Sequence, residues 1–143
     1  MKKILIGFIA LAILSGCGAK KEQVLTCTMT MNVSGMVMNQ ELEADFVGNE
    51  VVEMNMDIDV KLDETMVPYI DTMKETLASQ FKKYSDNGAK LEIDAEGSKI
   101  EIDIDFDLKN MTLEQKKNLD VIDVYGTKSA TKKALEQAGY TCR

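Results

Sequence analysis

The sequence predicts an α+β domain: a mainly antiparallel sheet, made of a β-meander and a later β-hairpin, with a long helix and C-terminal helices packed on one face. Three observations carry this prediction. Apolar and polar residues alternate over five stretches, as half-buried strands require. After the third stretch the apolar period changes from two to about 3.6, the period of a helix. Short turns rich in Gly and Asn separate the strands closely enough for hairpins.

The elements follow in order. In the first strand Leu25, Cys27, Met29, Met31 and Val33 face one way, and Thr26, Thr28, Thr30 and Asn32 the other. Ser34-Gly35 turns the chain into a second strand, Val37 to Val47, with Leu42, Ala44 and Phe46 inward. Gly48-Asn49 leads to a third strand, Val51 to Leu62, with Val52, Met54, Met56, Ile58, Val60 and Leu62 inward. Met66, Ile70, Met73, Leu77, Phe81 and Tyr84 then fall on one helical stripe. Thr65 is the expected N-cap, Pro68 fits the first turn, and Asn87-Gly88 stops the helix. Lys90 to Ala95 and Ser98 to Leu108 form a hairpin around Glu96-Gly97, with Ile100, Ile102, Ile104, Phe106 and Leu108 inward. Thr112 to Gln115 is a capping-box pattern for a short helix. Thr127 caps a last helix whose expected apolar face is Ala130, Ala134, Leu135 and Ala138. After Gly139, Tyr140 to Cys142 is an edge-strand candidate.

The N-terminus carries an address. Lys2 and Lys3 precede an almost unbroken apolar run from Ile4 to Leu14, the layout of a bacterial secretory signal. The run is too short to span a ~30 Å hydrocarbon core. It ends in Leu14-Ser15-Gly16-Cys17, which resembles the lipobox of bacterial lipoproteins. That resemblance implies a diacylglyceryl group on the Cys17 sulfur, with Cys17 as the mature N-terminus. The organisation is then a signal peptide over 1–16, a lipidated N-terminus and tether over 17–23, and one domain over 24–143. The protein is expected at the cell membrane, lipid-anchored on its extracytoplasmic side. Two further cysteines, Cys27 and Cys142, lie near the ends of the domain. Outside the cytoplasm such a pair is most simply a disulfide; two buried thiols are the alternative.

Composition narrows the function. Residues 1–16 hold two lysines and no acid, so the remaining chain has 15 basic and 24 acidic residues and a formal charge of −9. Such a surface repels nucleic acid. Histidine is absent, which removes the usual general base and the commonest metal ligand. No serine has an identifiable base beside it, and an open strand face supplies no cleft for paired carboxylates. A non-catalytic protein without a cofactor is expected.

Two constellations invite a metal reading. Met29-x-Met31, Met36-x-Met38 and Met54-x-Met56 place paired thioethers on one strand face, and thioethers suit Cu(I). The same registers are core positions, where methionine fills irregular space, with Met36 and Met38 the pair nearest to solvent. Asp103-x-Asp105-x-Asp107 followed by Glu114 has the spacing of a calcium loop, but Leu108 stands where the loop needs glycine. A solvated strand face accounts for that run equally well. Broader still is an acidic register: Glu41, Glu43, Asp45, Glu53, Asp57, Asp59, Glu92, Asp94, Glu101, Asp103 and Asp105 all point outward. It reads as a solubilising surface or as a docking face for a cationic protein or peptide, with Asp57, Asp59, Asp103 and Asp105 at its centre.

Taken with the lipobox cysteine, the early meander, the helix ending in Tyr84 with Gly88 after it, and the closing Ala138-Gly139-Tyr140, the layout resembles the YehR-like small bacterial lipoproteins, a family of unknown function. The resemblance implies the fold and a place in the cell envelope. The expected role is a membrane-anchored, non-catalytic binding module; the alternative is an extracytoplasmic Cu(I) or calcium binder.

Overall fold

The computed structural model describes residues 22–119 and 126–143. Glu22–Val33 (β1), Met36–Val47 (β2) and Glu50–Leu62 (β3) form the meander. A 3-10 turn at Val67–Tyr69 leads into Ile70–Asp86 (α1), and Lys90–Glu96 (β4) and Lys99–Phe106 (β5) form the hairpin. Leu113–Lys117 (α2), Lys128–Gln137 (α3) and Thr141–Cys142 (β6) follow. The strands make one six-stranded sheet in the order β4-β5-β3-β2-β1-β6, antiparallel throughout.

The α+β architecture is as the alternation predicts. One face of the sheet is apolar and buried: Leu25, Leu42, Phe46, Ile58, Ile102 and Phe106 meet in one cluster with Leu119 and Leu135. Helix α1 packs chiefly on β4, and α3 on β1 and β6. The helical stripe from Ile70 to Tyr84 is half-buried and packs against that cluster, with the Tyr84 ring edge-on to Phe106 of β5 at 5.5 Å. Asn87-Gly88 ends it as expected: Gly88 takes φ +95° and the Ala89 N–H donates to the Tyr84 carbonyl at 3.0 Å. The capping box at Thr112 and the Thr127 cap are both formed.

Cys27 and Cys142 are joined in a disulfide across 115 residues of sequence, and β6 pairs with β1 at this point. The two-residue strand is further held by paired bonds between the Thr26 and Arg143 backbones. The lipobox and Cys17 lie outside the described residues.

Four expectations are corrected. Val51, not Val52, enters the core, at 1% exposure. The register shifts between Asp45 and Phe46, so that Asp45 faces Glu53 and Phe46 faces Val51, leaving Val52 as the extra residue of a bulge. Thr65 does not cap the helix. The Asp63 carboxylate accepts from the Thr65 and Met66 N–H groups at 2.9 and 3.2 Å, and the 3-10 turn holding Pro68 intervenes before α1. On α3 the buried residues are Thr131 and Leu135, one helical turn apart, while Ala130, Ala134 and Ala138 are exposed. Finally, Val33 is 55% exposed, at the end of β1 beside the β1–β2 turn.

Candidate functional site

The outward register of β2 to β5 builds the candidate site. Strand pairing aligns the acids into rows across the sheet. The central row runs from Glu92 on β4 through Asp103 on β5 and Asp57 on β3 to Glu41 on β2, ending at Thr28 on β1. Beside it, Asp94, Glu101 and Asp59 form a second row that ends in Asn39. On the other side Lys90, Asp105, Asn55 and Glu43 form a third. Directly opposed side chains on one face stand about 4.5–5.5 Å apart at Cβ, so like charges there repel.

The margins of this grid are compensated. Lys99 pairs with Asp59 at 3.0 Å and with Glu101, Lys90 with Glu92 at 2.7 Å, and Lys109 with Glu53 at 2.6 Å. The Asn55 amide donates to Asp105 at 2.7 Å. The centre is not: among the described residues no lysine or arginine pairs with Glu41, Asp57 or Asp103. Partial burial raises the Asp57 carboxyl, a hydrogen bond with Asp103 and the charges of Asp103, Glu41 and Asp105 raise it further, and it is pushed up to about 7. Asp45 is also raised, first by burial and then by Glu43, Glu22 and Glu53, against the opposing charge of Lys109.

Two shallow depressions flank the central row. One of about 350 Å³ is lined by Glu43, Asp45, Glu53, Asn55, Asp105 and Asp107. The other, about 410 Å³, is lined by Thr28, Thr30, Asn39, Glu41, Asp57 and Asp59. Both are open troughs with carboxylate walls.

The four acids singled out from the sequence thus gather on two neighbouring strands, with Asp57 opposite Asp103. The calcium-spaced run is extended: Asp103 and Asp105 belong to β5, Asp107 follows it directly, and Glu114 lies on α2. Among the described residues no three acidic or cysteine side chains converge as a metal cage. Met54 and Met56 are core residues. Met36 and Met38, read as the pair nearest to solvent, are half-buried and packed against the core like Met66 and Met73. The lysines that neutralise the margins escaped the sequence reading, since their partners depend on strand order.

No protein-family model matches the chain, and a comparison with curated proteins finds no match. Two solved structures do match over most of both chains. An NMR structure of a Streptococcus pneumoniae TIGR4 protein has 13% identity and a TM-score of 0.58, covering 94% of this chain and 92% of that one. An NMR structure of the E. coli YehR protein has 13% identity and a TM-score of 0.60, covering 86% and 91%. The chain has a YehR-like fold. At that identity the likeness speaks for the arrangement of the sheet and helices alone.

Proposed function

We propose that this protein is a non-catalytic lipoprotein of the bacterial cell envelope, anchored through acylated Cys17, whose acidic sheet face docks a cationic protein or peptide. The observation that carries the reading is the uncompensated central row. Glu41, Asp57 and Asp103 stand side by side without a lysine partner among the described residues, and Asp57 is protonated more readily than an isolated carboxyl. A lysine or arginine from a partner supplies the missing countercharge and relieves the repulsion. The N-terminal signal pattern and Leu14-Ser15-Gly16-Cys17 support the envelope location, and two acyl chains suffice for stable anchoring.

The test is cross-linking in living cells, comparing the wild type with a variant carrying Asp57→Lys, Asp59→Lys, Asp103→Lys and Asp105→Lys. A specific adduct of the wild type that the variant loses is expected. Recovery of the same adducts by both proteins would overturn the docking role of this face. Association with the recovered partner should also quicken at low salt, as the Debye length grows from ~8 Å at physiological ionic strength to ~30 Å at 0.01 M.

A further inference from the structure

The inner face holds a second, chemically different cluster. Along the inward register of β1 and β2, burial falls toward their shared turn. Leu25, Cys27, Leu42 and Ala44 are sealed, Met29, Met31, Met36 and Met38 are half-buried, and Val33 is exposed. Helix α1 lies chiefly on β4, and α3 sits where β6 joins β1, so this corner carries methionines that solvent can reach. Met54 and Met56, at 3% and 4% exposure, serve packing alone.

Register directly opposes two of the four thioethers. Met31 stands directly opposite Met38; Met29 is two residues before Met31 on β1, and Met36 two before Met38 on β2. All four share one face. Opposed Cβ atoms lie about 5 Å apart, a separation that the unbranched, three-torsion side chains of Met31 and Met38 can bridge through one ion. Met29 and Met36 flank this pair on opposite sides, each about 7 Å away along its strand, and the Met29 sulfur lies 3.8 Å from where a Cβ on Gly139 would stand. Met66 leans on the same turn, its Cγ 3.0 Å from where a Cβ on Gly35 would stand.

We propose that this corner binds a soft monovalent cation, Cu(I) or Ag(I), between the thioethers of the directly opposed pair Met31 and Met38. Thioether sulfur selects Cu(I)-like ions over hard divalent cations. The surroundings sharpen that selection. No charged residue occurs between Glu22 and Glu41, so the hairpin offers no carboxylate to Ca²⁺. The chain has no histidine for Zn²⁺, and the sulfurs of Cys27 and Cys142 are already bonded to each other. The net charge of −7 favours a cation near the surface, and the carboxylate that reaches this turn, Asp63, already accepts from the Thr65 and Met66 N–H groups.

The experiment is a titration of the full-length chain, labelled with ¹³C at the methionine methyls, with silver nitrate in chloride-free buffer. The Met31 and Met38 methyls should shift together and saturate at one Ag(I) per chain. Met54 and Met56 should not move, and Zn²⁺ or Ca²⁺ should move none of them. The shifts should persist in Cys17→Ser, which removes the one cysteine sulfur outside the disulfide, and no methyl should shift in Met31→Leu/Met38→Leu, which keeps side-chain volume. Absence of shifts in the wild type overturns the proposal whatever the variants do. So does a saturating methyl shift in a folded Met31→Leu/Met38→Leu protein, or an equal response to Zn²⁺.

Discussion

Asp57 offers the most direct test of the uncompensated acidic row. Its carboxyl is raised from 3.8 to about 7, first by burial and then by its bond to Asp103 and the surrounding acids. Because the folded-state value lies above the unfolded one, ionised Asp57 opposes folding. Below about pH 4 it is protonated in both states and imposes no penalty. The penalty grows as pH rises between 3.8 and about 7, and is complete above that. Taken in full, the displacement is worth roughly 4 kcal/mol. Asp57 is nevertheless on a solvent-facing strand position, where screening leaves a fraction of that, about 1–2 kcal/mol. Asp57→Asn, whose amide can donate to Asp103 without charge, should therefore be more stable than the wild type by about 1–2 kcal/mol at pH 8 and equal to it at pH 4. Asp59→Asn is the contrast: it removes a carboxylate that already pairs with Lys99 at 3.0 Å, and should not stabilise. Urea unfolding at a series of pH values, with the disulfide intact, measures both. Equal stability of Asp57→Asn and wild type at pH 8, or a gain that is the same at pH 4, would refute the electrostatic account.

Other outcomes follow from the packing and from the chain ends. The paired Cys27→Ala/Cys142→Ala variant should lose about 4–5 kcal/mol in the chain-entropy picture of so long a loop; an unchanged urea midpoint would contradict it. Val51→Ala should cost about 2 kcal/mol, as expected for emptying a buried aliphatic site, and Val52→Ala much less. The opposite order would mean that the bulge lies elsewhere. Metabolic acyl labelling should mark the wild type and leave Cys17→Ala unlabelled, with loss of the washed membrane fraction.

Much of this fold was legible because strand alternation and helical period are local. The faces of β2 and β5, the stop at Asn87-Gly88 and the caps at Thr112 and Thr127 each depend on residues within a turn or two of one another. The errors share the opposite cause. Val51 replaces Val52 in the core because of pairing with β2, which lies outside the local pattern. The alanines of α3 look like an apolar face until the helix is set against β1, where Thr131 and Leu135 turn inward. Asp63 rather than Thr65 holds the chain before α1, because the carboxylate is placed beside the turn that follows β3.

Lateral strand order is the step that converts patterning into chemistry. Alternation puts Asp57 and Asp103 on the outer face without saying that they meet. They meet because the chain returns through α1 so that β5, not β4, pairs with β3, leaving β4 at the margin. Had β4 taken the inner place, a different set of carboxylates would have faced Asp57. The observed order instead opposes Asp57 to Asp103 and Asp59 to Glu101, with Lys99 next to the second pair but not the first. Compensation is therefore uneven: Lys99 bridges Asp59 and Glu101 in one row, while Glu41, Asp57 and Asp103 in the neighbouring row, about 7 Å away along the strands, have no lysine partner among the described residues. The same sheet separates its two chemistries by side: carboxylates outward at the middle of β3 and β5, thioethers inward at the β1–β2 turn. The proposed cationic partner and the proposed soft metal ion would therefore occupy opposite faces of the sheet.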